Sequence, residues 1–505
     1  MRLSISTSTS LSCLVSVLLL LATGCRPAIP SALSLGAGDA WTSRGSFADF
    51  ELNGQARCSE DAQALIRLCL EGEIPGQAGN DKAENSAVRA GNDKAEDSAV
   101  MAGNDKAEDS AVMAGSDRPS PSGYAILLHN GPIDGTRKTG SLLHVRNLYR
   151  SLAQDGEWFD FNVAVRGRNV GVRIGGVDVV CYTEPEAPWR APGHEGERIA
   201  PGRIGLEGIQ GTVEFRNLTL TPLPEGVKNP ADTLPPVDEQ ADRIIRLQQR
   251  DFPVIDYHVH LKGDLTKEMA HAMSMNYGIN YGVAPNAGEG GVGRMLADDA
   301  EVYAYHDEIS GEPFLFGVQG EGRKWTQTFS QDALGIFEYL FTDAMTIIDH
   351  KGRNSRIYRP EEVHFDGISR QRYMDHLVDQ TVLILTNEPA DIYANPTFLP
   401  GVMQAQYDVF WTPERVDRVL DVLEKYHIAL EINPRYCIPS FDIIRRAKAR
   451  GIKFTFGTNN VDSNFGRLEY ALDAIEACGL TPEDIWFPSM SIRSTRPTVI
   501  YNHFD

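Results

Sequence analysis

The chain carries two rhythms of apolar and polar positions. Between residues 26 and 224, one stretch apart, short apolar–polar alternations are separated by glycine-bearing turns. They read "FADFELNGQARC", "YAILLHNG", "FDFNVAVRGRNVGVRIGGVDVVCYTE" and "GRIGLEGIQGTVEFRNLTLTPL". Alternation places every second side chain on one face of a strand. Several short strands at such spacing predict an antiparallel β-sandwich. From residue 251 the rhythm changes. Apolar runs at 253–260, 280–286, 314–321, 339–348, 381–389, 429–435 and 453–460 read as strands. Amphipathic helical stretches such as "TPERVDRVLDVLEKYH" and "SFDIIRRAKARG" fall between several of them. Strands alternating with helices predict a parallel sheet, here an α/β barrel of seven units, complete or distorted.

The excepted stretch, 78–117, repeats itself: "AGNDKAENSAVR" starts at Ala78, "AGNDKAEDSAVM" at Ala90 and again at Ala102, and a further copy breaks off at "AGSD". It has too few apolar side chains to offset the entropy of ordering, so it reads as a disordered insertion dividing the sandwich into 26–77 and 118–224. Residues 225–250 read as a proline-rich acidic linker running into a helix at "DEQADRIIRLQQRDF", and the barrel occupies 251–505.

Residues 1–25, "MRLSISTSTSLSCLVSVLLLLATGC", form an export signal: Arg2, an apolar core, then small residues. Its end, "LATGC", resembles a bacterial lipobox, which implies an exported, membrane-anchored protein with lipid on Cys25, the membrane being met only through that anchor. The formal net charge of −21 excludes a phosphate-backbone binder, so no nucleic-acid partner is expected. The remaining cysteines, Cys58, Cys69, Cys181, Cys437 and Cys478, are scattered without a C-x-x-C pair. Any metal is therefore expected on His, Asp and Glu.

In a parallel barrel, chemistry gathers at the C-terminal ends of the strands. Those ends carry His258 and His260, Asn286, Glu321, Asp343 and His350, Asn387, Asn433, and Asn459 with Asn460 and Asp462. His258 and His260 lie two apart on one strand, so both rings face one side. The candidate metal ligands are His258, His260, Glu321, Asp343 and His350. They suit one or two divalent ions, zinc or manganese, that would activate a water. Asp462 is the candidate base, and Arg323 and Arg353 are placed to meet an anion. Asn286, Asn433, Asn459 and Asn460 are candidate substrate-binding residues. Asp264 reads as the N-cap of a helix over "LTKEMAHAM". Tyr149, Trp158 and Trp189 are open to two readings, sugar stacking or packing.

Two resemblances sharpen these expectations. "GEWFDFNVAVRG", "GGVDVVCYTEP" and "GRIGLEGIQGTVEFRNLTL" resemble the 3-keto-disaccharide hydrolase family, whose sandwich is of the concanavalin, laminin-G type. That implies a carbohydrate-facing surface. "DYHVH" and "GVQGEGRKW" resemble motifs of the PHP (polymerase and histidinol phosphatase) family, a distorted seven-stranded barrel hydrolysing phosphoesters with metal ions. This second likeness covers 252–490 and departs from the family at three places. Asn286, Asn395 and Asn459 stand where the family carries Asp or His ligands. Asparagine offers neither a carboxylate's charge nor an imidazole nitrogen.

The expected function is an exported metal-dependent hydrolase. Its barrel would act on a small phosphorylated or anionic, sugar-derived substrate, and its sandwich would be directed at carbohydrate. Two alternatives stand beside it: 3-keto-glycoside hydrolysis in the sandwich with an auxiliary barrel, or a non-catalytic carbohydrate-binding lipoprotein with a degenerate barrel.

Overall fold

A computed structural model describes residues 29–71, 74, 122–224, 242–288, 293–321, 325–463 and 466–492. The expected export signal, the twelve-residue repeats, the linker 225–241 and Arg323 lie outside the described residues.

The N-terminal half is the expected antiparallel sandwich. Its strands are β1 (Ala32–Leu35), β2 (Ala40–Thr42), β3 (Phe50–Cys58), β4 (Gln63–Leu70), β5 (Tyr124–Leu128), β6 (Phe159–Arg166), β7 (Asn169–Ile174), β8 (Val177–Thr183), β9 (Arg203–Gln210) and β10 (Val213–Pro222). One sheet runs β1-β10-β3-β6-β7-β8 and the other β2-β9-β4-β5. The alternation that predicts β3 is visible in its burial, buried and half-buried residues taking turns along all nine positions. Its inner residues pack with Phe161, Val163, Phe215 and Ile66 in one core. β4 pairs with β5 from Ala64 opposite Leu128 to Leu68 opposite Tyr124, so the repeats fall in the connection of one hairpin.

The C-terminal half is a closed barrel of seven parallel strands. In chain order the strands of this half are β11 (Ile255–Val259), β12 (Asn280–Val283), β13 (Asn286–Gly288), β14 (Met295–Leu296), β15 (Leu315–Glu321), β16 (Tyr339–Thr342), β17 (Thr346–Ile348), β18 (Asn354–Arg356), β19 (Ile392–Tyr393), β20 (Ala429–Ile432) and β21 (Phe454–Phe456). The barrel order is β12-β11-β21-β20-β19-β16-β15, and pairing of β12 with β15 closes it. β13 and β14 extend from β15, and β17 and β18 form a separate hairpin.

Period-two alternation stacks the interior in layers. At one level Tyr339 fills the barrel, its hydroxyl donating to Tyr257 O at 2.7 Å. Glycines make the room: a Cβ on Gly317 would lie 2.2 Å from the Tyr339 ring, and one on Gly282 2.0 Å from its hydroxyl. Two residues further along the strands come Phe341, whose ring stacks on Tyr339, and His258, 4.6 Å from Phe341 between ring centroids.

Three elements differ from the sequence reading. The run 381–389 is no strand. It is the second half of the helix Arg370–Asn387, capped by Ser369, with Tyr373, Met374, Leu377, Val378, Thr381, Ile384 and Leu385 buried at helical spacing. The strand that fills this place in the barrel is the two-residue β19, and Asn387 lies at the helix end rather than at a strand end, its amide bonded to Leu383 O. The run 339–348 is two strands, β16 and β17, in different sheets. The helix Lys267–Tyr277 is capped by Thr266, not Asp264: the Thr266 hydroxyl accepts from Met269 N.

The segment 129–153 joins the halves. Asn147 N and side chain bond Gln248, Asn280 donates to Asn147 O, and Arg150 bonds both Phe314 O and Glu338. Tyr149 and Ile133 belong to the barrel core, whereas Ile245, from the helix that leads into the barrel, is buried in the sandwich core.

Candidate functional site

The site is a cavity of about 180 Å³ at the C-terminal ends of the barrel strands, lined by His260, Lys262, Asn286, Gln319, Glu321, Asp343, Met345, Tyr358, Asn395, Arg435, Tyr436, Asn459 and Val461. Strand alternation supplies most of the wall. His258 and His260 belong to or follow β11, Gln319 and Glu321 share one face of β15, and Asp343 follows β16.

Below the cavity floor lies a buried polar layer. His258 Nδ1 is 2.7 Å from Glu431 Oε2, and its Nε2 is 3.2 Å from Gln319 Oε1. Gln319 Nε2 donates to Asp343 Oδ2 at 3.2 Å, which fixes the amide so that its oxygen faces His258. Both ring nitrogens therefore face acceptors. Glu431 Oε1 accepts from Asn395 N and Asn433 Nδ2, each at 2.9 Å. Gly457 makes space for the pair, since a Cβ there would sit 2.2 Å from Glu431 Oε2 and 2.7 Å from His258 Cβ.

The asparagines knit to one another. Asn395 Oδ1 accepts from Asn433 Nδ2 at 2.9 Å and from Asn459 Nδ2 at 2.8 Å, while Asn395 Nδ2 donates to Asp343 Oδ2 at 3.0 Å. Asn395 and Asn459 both take left-handed backbone (φ 45° and 42°), a region asparagine tolerates better than branched residues do. Where a metal cluster would need charge and imidazole nitrogens, the amides satisfy each other.

At the cavity wall, His260 Nδ1 is 2.7 Å from Ala284 O, which can only accept, so the proton sits on Nδ1. Burial first, then His258 and Lys262, holds this imidazole well below its ordinary range, and it is neutral with Nε2 unprotonated. Glu321 Oε1 accepts from the Tyr358 hydroxyl at 3.0 Å. Burial and the neighbouring Arg435 bring the Lys262 ammonium down to about 8, against the opposing pull of Glu321 and Asp462. Arg435 is anchored by Asn459 O at 2.9 Å.

The structure thus brings together His258, His260, Glu321, Asp343, Asn286, Asn433 and Asn459 in or beneath one cavity. Others of the expected residues it places elsewhere. His350 bonds Asp366 O, and the half-exposed Arg353 pairs with Asp349 and Asp366, so neither lines the cavity. Asn460 is buried with its side chain committed to the His260 backbone, accepting from N and donating to O. Asp462 lies on the loop beside Gly263, near Lys262 but outside the cavity wall. Of the aromatics, Tyr149 is barrel core, and Trp158 and Trp189 are covered by arginines, Arg216 4.0 Å over the first and Arg246 4.3 Å over the second.

Sequence reasoning missed Lys262, Gln319, Tyr358, Arg435 and Glu431. Three had a signal: Lys262 continues the every-second-residue series from His258 and His260, Gln319 precedes Glu321 by two, and Glu431 precedes Asn433 by two. Tyr358 and Arg435 arrive on loops with no pattern around them.

Of the expected ligands, His258, His260, Glu321 and Asp343 gather in or beneath the barrel cavity, and His350 does not. His258 holds both ring nitrogens against side-chain oxygens, Nδ1 against Glu431 and Nε2 against Gln319. Among the described residues, the one group of three His, Cys, Asp or Glu ligand atoms within 4.8 Å of one another lies in the sandwich instead: His144, His194 and Glu197.

Residues 31–221 match the model of the 3-keto-alpha-glucoside-1,2-lyase-like domain, as the sandwich motifs led one to expect; the match ends before the barrel. Among solved structures, the chain is similar to two proteins from Parabacteroides distasonis named as glycosyl hydrolases. The first is 10% identical over 38% of this chain and 81% of that one, with a TM-score of 0.27. The second is 13% identical over 39% and 88%, with a TM-score of 0.25. A carbohydrate-binding module from Bacillus subtilis is 9% identical over 36% and 80%, with a TM-score of 0.20. No curated protein matches the chain.

Proposed function

We propose that the chain is a carbohydrate-directed hydrolase whose barrel mouth cleaves an anionic, sugar-derived substrate by acid–base chemistry. The observation that carries this reading is the cavity in which Glu321, Tyr358, Asp343 and neutral His260 share a wall with two cations, Lys262 and Arg435. Two cations beside a carboxylate suit a phosphate or carboxylate group next to the bond that breaks. The family match over 31–221 supports sugar as the substrate class.

In this reading Glu321, oriented by Tyr358, takes a proton from the attacking water. His260, its Nδ1 held by Ala284 O, accepts a hydrogen bond from that water at Nε2. Lys262, brought by burial to within a unit or so of neutrality, gives a proton to the departing oxygen. Arg435 meets the charge that develops. Each of these steps is carried by a protein side chain that lines the cavity.

Turnover of a panel of phosphorylated, carboxylated and 3-keto sugars, followed by mass spectrometry, tests the reading. Glu321→Gln is expected to lower kcat by about 100-fold or more, within the range usual for a general base, with KM little changed; Lys262→Met, which removes both the proton donor and a cation, should lower kcat and raise KM. Hydrolysis that proceeds unchanged in Glu321→Gln overturns it. That result would favour a second reading, 3-keto-glycoside chemistry in the sandwich, for which the match over 31–221 speaks.

A further inference from the structure

The sandwich carries a set of donors that neither the barrel reading nor the sequence motifs use. We propose that His144, His194 and Glu197 bind a divalent transition metal through the two Nδ1 atoms and the Glu197 carboxylate, leaving one position open to water or a sugar oxygen.

The geometry is convergent. His144 Nδ1 lies 2.6 Å and His194 Nδ1 2.8 Å from the same oxygen, Glu197 Oε1, and the two rings meet edge to face at 4.3 Å. One carboxylate oxygen with two imidazole nitrogens directed at it satisfies both only if both rings carry a proton there. A cation at the centre satisfies all three donors with neutral rings. Donors around a tetrahedral zinc ion stand about 3.3 Å apart, given bonds of about 2.0–2.2 Å, so entry asks each to withdraw by a fraction of an ångström.

A second observation points to a ligand. Glu197 is 6% exposed, and its Oε2 is buried with no hydrogen-bond partner. A buried carboxylate oxygen without a donor is costly, and one that waits for an ion is a recognised reason for such an atom. The scaffold is rigid on both sides. His144 is held in left-handed backbone (φ 67°) while its N–H donates to Asn147 Oδ1. Such strain in a non-glycine residue persists where the surroundings impose it, often at sites of function. His194 and Glu197 lie three apart in one turn: His194 N donates to Ala191 O, Glu197 N to His194 O, and Arg190 Nε to Glu197 O. The Arg190 guanidinium is answered by Glu184 at 3.8 Å, so its charge does not stand alone against a cation. The histidine side chains are 14% and 22% exposed against 9% for the glutamate, which leaves the imidazole side open to solvent.

Two histidines and one carboxylate with an open fourth position match the catalytic rather than the structural type of zinc site, and the same donors accept manganese or iron(II). The ligand class is a small molecule with a hydroxyl or carbonyl oxygen that can enter the open position.

The test uses the full chain, stripped with chelator, dialysed, and titrated with zinc and separately with cobalt(II). One ion per chain is expected by calorimetry, together with the visible absorption of tetrahedral cobalt. Glu197→Gln and His194→Ala should each weaken binding by at least tenfold and remove the cobalt bands. His144→Asn, which tolerates the left-handed backbone, should do the same while circular dichroism shows the fold intact. His258→Ala, in the barrel, should keep the full stoichiometry. No ion bound by the wild type, or a full complement with unchanged affinity in Glu197→Gln and His144→Asn, overturns the site. Either outcome leaves the barrel chemistry to be judged by Glu321→Gln alone.

Discussion

Glu431 and His258, 173 positions apart in the chain, meet inside the barrel with 2.7 Å between carboxylate Oε2 and ring Nδ1. Both are buried, and each is needed to satisfy the other. Removing one partner of a buried pair strands the other. Glu431→Ala is therefore expected to destabilise the barrel by about 3–5 kcal/mol, the usual cost of breaking such a pair. Glu431→Gln, which keeps the shape and two of the hydrogen-bond partners, should cost less. Urea unfolding of both variants checks the order; equal and small losses would show that the pair is dispensable.

Gly457 admits this pair, and the smallest side chain should expel it. A methyl group there would overlap Glu431 Oε2 at 2.2 Å. Overpacking of this kind typically costs about 1–3 kcal/mol. Gly457→Ala is expected to show that loss together with reduced turnover, because His258 and Gln319 must shift with it. A variant as stable and active as the parent would mean that the layer can rearrange.

The seven-strand barrel was legible where strands end in polar pairs: "VIDYHVH" and "FGVQGE" combine an apolar run with alternating chemistry, and both became strands lining the site. β19 was not legible, because two residues carry no periodicity. Val382, Leu383, Ile384 and Leu385 form an apolar run that suits a buried strand as well as a helix. The decision came from Tyr373, Met374 and Leu377 further back, whose spacing continues the helical face. Loop-borne Tyr358 and Arg435 were beyond any pattern. His194 and Glu197 had a local signal in their spacing of three, but His144, their partner, lies 50 positions earlier and only the fold brings it near.

Arg150 ties the sandwich side to the barrel. Its Nη1 contacts both Glu338 oxygens at 2.6 Å and Phe314 O at 2.7 Å, with both side chains about a quarter exposed. Partial exposure screens the ion pair, so Arg150→Ala should cost about 1 kcal/mol. The clearer readout is limited proteolysis, where cleavage between the halves should quicken. Unaltered proteolysis would leave the contact without a mechanical role.

The twelve-residue repeats should be dispensable to the fold. β4 and β5 pair in register without them, and shortening the connection of a hairpin changes loop entropy only slowly with length. A chain lacking 78–117 is expected to unfold within about 1 kcal/mol of the full one, as the logarithmic length dependence of loop closure implies. A large loss would show that the repeats contribute contacts to the sandwich.

The exchange of Tyr149 and Ile245 between the two cores has a consequence for the protein's modularity. The proline-rich stretch at 225–241 looks like the natural place to divide the chain, yet a cut there assigns each half a residue that completes the other. A sandwich ending at 224 lacks Ile245, and a barrel beginning at 242 lacks Tyr149 and Ile133. The two halves are therefore not interchangeable cassettes. Recombination with a foreign sandwich or barrel would have to carry the segment 129–153 and the helix Arg243–Gln248 along with it.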